Sequence, residues 1–170
     1  MTHSKWLAIP VLALSLAACD SDDTTTPSDQ TFTATLNGAN ERPTPVVTPA
    51  VGTANFTVSA DGNTLSWNVT MTGTNNVTAA HIHVGGAQVA GPVAFGIFAG
   101  PTANNPPMTG SVTRAAFASP LGITFDGLIA LMRSGDTYTN VHTDNGVAPT
   151  NTGPGDFPGG EIRGQNTRVQ

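Results

Sequence analysis

A chain of 170 residues with one cysteine, a net charge of −5 and only 10% charged side chains holds enough sequence for a single globular domain, without a disulfide to staple it. It carries six basic residues against eleven acidic ones and no basic stripe, which argues against nucleic acid and anionic lipid headgroups as partners.

In chain order, Lys5 precedes an uncharged apolar run from Trp6 to Ala18. That run has the length of an export-signal core and falls short of the roughly 20 residues that span a bilayer. It closes on Leu16-Ala17-Ala18-Cys19, which resembles the lipobox of bacterial lipoproteins. The resemblance implies a signal peptide over residues 1–18, cleavage before Cys19 and lipid on the Cys19 sulfur and α-amine. An ordinary secretory signal with an incidental cysteine is the alternative. Two or more acyl chains anchor a protein stably, so the expectation is an exported protein tethered to the bacterial cell envelope on its periplasmic or extracellular face. Asp20 resembles an inner-membrane retention signal of enteric bacteria, but lineages differ, and the choice of membrane stays open. Loss of the signal removes the only lysine and leaves a charge of about −6, from five arginines and eleven acids.

Residues 19–30 continue as an acidic, Ser/Thr-rich stretch without apolar residues after the cysteine, the composition of a flexible tether. From residue 31 the pattern becomes short strands punctuated by Gly, Pro and Asn. Residues 31–37 alternate Phe32, Ala34 and Leu36 with polar positions; residues 52–59 alternate Ala54, Phe56 and Val58; Asp61-Gly62 signals a hairpin turn; residues 64–71 answer with Leu65, Trp67, Val69 and Met71. Further strands are expected over 77–84, 93–99, 109–114, 137–143 and 160–165. Leu128, Ile129, Leu131 and Met132 suit one short helix over 125–133, stopped by Gly135. Seven or eight such strands predict an all-β fold, an antiparallel β-sandwich or Greek-key barrel, over residues 31–166, with 167–170 as a tail.

His81, His83 and His142 are the histidines that remain beyond the signal. Residues i and i+2 of a strand face the same way, so His81 and His83 share one face, opposite Ala80, Ile82 and Val84. By the same parity Tyr138, Asn140 and His142 lie opposite Val141, and Glu161, Arg163 and Gln165 lie opposite Ile162, pointing away from the core. If the three strands are neighbours, histidine, amide, carboxylate and guanidinium form one cluster. Imidazoles at this spacing can converge on one ion with bonds near 2.0–2.1 Å. The same residues would also serve as an ordinary hydrogen-bonded network on a sheet surface.

Several segments together resemble the CHRD domain, first described in the extracellular protein chordin and present in many bacterial exported proteins. They are Leu36–Pro45 (LNGANERPTP), Gly52–Ala54, Ala79–Gly85 (AAHIHVG), Tyr138–Thr143 (YTNVHT) and Gly159–Gln165 (GGEIRGQ), in the family's order. The resemblance implies an all-β extracellular module and brings no established reaction. Residues 144–158 depart from it: a longer loop rich in Gly, Pro and Asn stands where the family passes within a few residues to GGEIRGQ.

Three functions remain in view. The first is a non-enzymatic binding module holding one Cu(II) or Zn(II) through His81, His83 and His142, with Glu161, Asn140 or Arg163 as a fourth ligand or supporting partner. Cu(I) is disfavoured, since no thiol is free and the methionines beyond the signal are only Met71, Met108 and Met132. The second is a mononuclear copper or zinc enzyme. It is weakly similar to copper–zinc superoxide dismutases, but those use about six histidines, and a dinuclear site cannot be built from three. The third is a structural or protein-interaction domain without metal. Hydrolase signatures (a Gly-x-Ser-x-Gly elbow, a second cysteine) and phosphate-binding loops are absent from the sequence.

Overall fold

The computed structural model describes Met1 and residues 30–169. The expected signal peptide, Cys19 and residues 20–29 of the expected tether lie outside the described residues. Among the described residues, nine strands, β1 Gln30–Asn37, β2 Val51–Val58, β3 Thr64–Thr72, β4 Val77–Val84, β5 Val93–Ala103, β6 Met108–Thr113, β7 Thr137–Thr143, β8 Ile162–Gln165 and β9 Thr167–Arg168, form one antiparallel sheet with a single α-helix, α1 Phe125–Ser134. The sheet runs β5-β4-β7-β8-β1-β2-β3-β6, with β9 beside β1, and curls into a nearly closed barrel rather than two separate layers.

The strands form where the alternating residues predict them. Phe32 and Phe56 face each other across β1 and β2, and Leu65 faces Val58 across the Asp61-Gly62 turn. Their side chains join Leu36, Val69, Ile82, Val141 and Ile162 in the core. Trp67 is less buried than its neighbours and packs edge-on to Phe95 at 5.6 Å. Helix α1 contributes Phe125, Leu128, Ile129 and Met132 to that core. Thr124 caps its start by accepting from the Gly127 N–H at 3.1 Å, and Gly135 ends it at φ 77°, a left-handed conformation that a Cβ would strain. Among the described residues no helix is long and apolar enough to cross a membrane.

Three expectations need correction. Gln30 belongs to β1, paired with Val58 and accepting from the Arg133 Nε–H at 2.6 Å, so the strand starts one residue earlier than the expected tether allows. Thr167 and Arg168 pair with Thr33 and Phe32 instead of trailing as a tail. The outward face of β7 and β8 is not a solvated surface: Tyr138 is 2% exposed, Asn140 4%, Arg163 2% and Glu161 0%. Segments that periodicity cannot place lie over it. The Asn40 amide donates to the Arg163 carbonyl, Gly91 meets His83 and Tyr138, and Pro158 meets His142. The barrel thus has an apolar interior on one side of β4-β7-β8 and a polar one on the other.

A candidate metal centre

His81 and His83 stand on β4, and His142 stands on the adjacent β7. In register, His81 lies opposite Asn140, His83 opposite Tyr138 and Ala79 opposite His142. The ladder carries one irregularity, between Val77 and Ala79, where an extra residue on β4 is absorbed and the Thr78 hydroxyl donates to the His142 carbonyl at 3.3 Å. Beyond it the pairing is regular, so the two-residue parity of His-Ile-His is kept. His142, diagonal to His81, closes the triangle. Ring centroids are 5.6 Å apart for His81–His83, 4.9 Å for His81–His142 and 5.7 Å for His83–His142.

One ring nitrogen from each histidine lies within 4.8 Å of the others. Nitrogens bound to one tetrahedral ion at about 2.0–2.1 Å are about 3.4 Å apart, so side-chain rotations that close the set by up to about an ångström and a half would gather it. The outer nitrogens are already held. His83 Nδ1 lies 2.9 Å from the Gly91 carbonyl and His142 Nδ1 lies 2.9 Å from the Pro158 carbonyl. A carbonyl oxygen only accepts, so both Nδ1 atoms carry the proton and both Nε2 atoms keep the lone pair. Those Nε2 atoms, together with His81 Nδ1, are buried without any hydrogen-bond partner. Burial disfavours the imidazolium form: His142 is brought down to about 4, against the partial support of the Pro158 carbonyl, and His81 and His83 are lowered for the same reason. At neutral pH the cluster is three neutral imidazoles, two of them with a lone pair on a buried, unpartnered Nε2.

The other residues singled out in the sequence go elsewhere. Glu161 does not reach the histidines. Its carboxylate accepts from the Thr48 hydroxyl at 2.5 Å, the Thr143 hydroxyl at 2.7 Å and the Gly155 N–H at 3.0 Å, so it ties β7 to the 48 and 155 loops. Asn140 is beside His81 in the ladder, yet its amide nitrogen donates to Glu41 at 3.4 Å, and its oxygen has no partner. Arg163 donates to the Gly86 carbonyl at 2.9 Å and lays its guanidinium 3.4 Å over the Tyr138 ring. Tyr138 in turn stacks on His83 at 4.8 Å, with planes 14° apart. Arg163 therefore touches the histidines through this tyrosine, and its charge also disfavours the imidazolium form of His83. Met71, Met108 and Met132 are all in the apolar core.

The long loop over 144–158 covers the cluster rather than opening it. Its Pro158 carbonyl orients His142, its Phe157 carbonyl accepts from the Thr143 N–H at 3.2 Å, and its Gly155 N–H reaches Glu161. The Gly91 and Pro158 carbonyls could not be found from sequence, because every residue has one. Glu41 could have been suspected: it is an acid flanked by Asn40, Arg42 and Pro43 in a segment that ought to turn.

The CHRD domain model matches residues 32–166. The chain belongs to the CHRD family. The match covers β1 through β8 and contains all three histidines, so the barrel is the CHRD domain itself. No curated protein matches the chain significantly.

Proposed function

We propose that this CHRD domain is a non-enzymatic binding module that holds one Cu(II) or Zn(II) ion through His81, His83 and His142. One observation carries the reading: the three rings bring one nitrogen each within 4.8 Å of one another, every ring has a buried nitrogen without a hydrogen-bond partner, and backbone carbonyls fix two of the rings in the tautomer that leaves Nε2 free. Supporting partners on the non-ligating nitrogen are how proteins orient metal-binding histidines. Imidazole ligands without a thiolate suit Cu(II) or Zn(II). Glu161 is engaged by three other donors, so a fourth ligand comes from water or from the molecule the module captures.

Equilibrium dialysis with elemental analysis tests this. One equivalent of copper or zinc should be retained, and His81→Ala and His142→Ala should each weaken retention at least 100-fold. A chain that retains no stoichiometric ion, or retains it undiminished in both variants, is instead a structural domain.

The same proposal places the module at the bacterial cell envelope, tethered by lipid on Cys19 through the acidic segment that follows. Support comes from the Leu-Ala-Ala-Cys sequence at the end of an apolar run of signal length. Labelled palmitate fed to the host should appear in the protein and be absent from Cys19→Ser; equal release of both forms into the medium would remove the tether.

A further inference from the structure

A second feature of the polar side is independent of the histidines. After Asn40 the chain folds back on itself, with the Val46 N–H donating to the Gly38 carbonyl at 2.8 Å. This bend, together with Ala90, Asn151, Phe157, Gly159 and Gly160, lines a partly open cavity of about 510 Å³. That lies within the range of pockets that take small molecules. None of the three histidines lines it. Its walls are mainly apolar: Pro43, Pro45, Val46, Val47 and Phe157, the two prolines stiffening the near side. Val47 is 93% exposed, an apolar side chain left in water at the cavity.

Glu41 also lines this cavity, although it is only 3% exposed overall. One carboxyl oxygen faces the Asn140 amide, and the other, Oε1, has no hydrogen-bond partner. Asn140 Oδ1 is unpartnered as well, and Gly160, a lining residue at φ +131°, fits so closely that a Cβ there would lie 2.5 Å from the Asn140 amide. Each of these two buried acceptors lacks a donor, a costly arrangement in a low-dielectric setting, and the Glu41 one belongs to a residue of the cavity wall. Charge narrows the ligand further. Arg42 lines the cavity and the charge of Arg163 also acts on Glu41, which disfavours a cation; Glu41 itself disfavours an anion. In keeping with this, burial pushes the Glu41 carboxyl up to about 7.

We propose that this cavity binds a small uncharged molecule, apolar over most of its body, that presents an N–H or O–H donor to Glu41. The class is that of primary carboxamides and alcohols with a compact hydrocarbon body.

Three probes with one body and different heads test it: cyclohexanecarboxamide, cyclohexylmethylammonium and cyclohexanecarboxylate. They are titrated into the full chain in the presence of a metal chelator, so failure of the metal reading leaves the result untouched. In two-dimensional NMR the carboxamide should shift the amides of Thr44, Val46, Val47, Phe157 and Gly160 and saturate at about millimolar concentration, as expected for a ligand of this size. The two charged probes should bind at least 10-fold more weakly. Glu41→Gln, which replaces an acceptor by a donor, should weaken the carboxamide about 10-fold. Val46→Phe, or Ala90→Phe if that variant fails to fold, should fill the space and abolish saturation. Equal response to all three heads, shifts without saturation, or unchanged binding in the filled variant would overturn the proposal.

Discussion

A buried nitrogen without a hydrogen-bond partner costs on the order of 1–3 kcal/mol, and His81, His83 and His142 each carry one. The metal-free domain therefore holds three imidazoles, each with a buried nitrogen left unsatisfied, a cost that a bound ion would offset. Acid acts on them directly. His142 titrates near 4 when folded and near 6.5 when free, so between those values the unfolded chain binds a proton that the folded chain refuses. Its contribution to stability is complete above pH 6.5 and is lost as pH falls toward 4; His81 and His83 push the same way. Glu41 opposes them. Raised from 4.5 to about 7, it holds its proton longer when folded, and its contribution is complete below pH 4.5 and is lost as pH rises through 7. From pH 6.5 to 4.5 the His142 and Glu41 contributions, roughly 2 kcal/mol each and of opposite sign, nearly cancel, so urea unfolding of the metal-free chain should show only the smaller fall that His81 and His83 leave. Glu41→Gln should steepen that fall, and a flat profile in both proteins would refute the assignment. Glu161 predicts a different outcome. Removing its carboxylate in Glu161→Ala strands two hydroxyls and an N–H, at about 2–4 kcal/mol in urea unfolding. The protein that remains folded should keep its metal stoichiometry, because no imidazole touches Glu161.

Strand β4 does two jobs with one alternation. Ala80 and Ile82 are wholly buried in the apolar core, while His81 and His83 turn to the polar side. A register slip of one residue would exchange the two sets, and the burial of Ile82 therefore guards the orientation of the histidines. Truncation by Ile82→Ala should cost about 2–5 kcal/mol in urea unfolding, with metal affinity falling as the strand loosens. Helix α1 lies apart from this coupling. Gly135→Ala, which forces a Cβ into the left-handed conformation at the helix end, should cost about 1 kcal/mol by thermal unfolding and leave metal retention unchanged. The contrast between these two variants separates damage to the histidine-bearing strand from damage to the domain at large.

The barrel joins its distant segments through the polar side as much as through the apolar one. Asn40 reaches the Arg163 carbonyl, Thr48 reaches Glu161, and the 91 and 158 carbonyls hold two histidines. An ion bound at the centre would link β4, β7 and both covering loops. At a free concentration 100 times its dissociation constant, a ligand that binds only the folded state adds about 2.7 kcal/mol. For a domain of this size that raises Tm by about 5–10 °C. Calorimetry with Zn(II) should record the shift in the native chain and not in His81→Ala; equal shifts in both would point to ions bound elsewhere.

Alternation in residues 31–37, 52–59, 64–71 and 77–84 was enough to place most strands, to within a residue or so at their ends, because apolar residues two apart have one core to enter. The stop at Gly135 and the shared face of His81 and His83 were legible for the same reason: each is decided within a few residues of chain. Strand parity was silent about what covers a face. It put Asn140, Glu161 and Arg163 toward water, yet the folded chain lays the 38–50, 85–92 and 144–160 segments over them. Such coverings have no period, and their contacts are backbone carbonyls and amides that any residue supplies. Local pattern therefore settled which side chains share a side of the sheet. Only long-range packing decided that His142 meets the pair on β4, that Glu161 does not, and that Glu41, a hundred residues from its partner Asn140, stands beside a cavity.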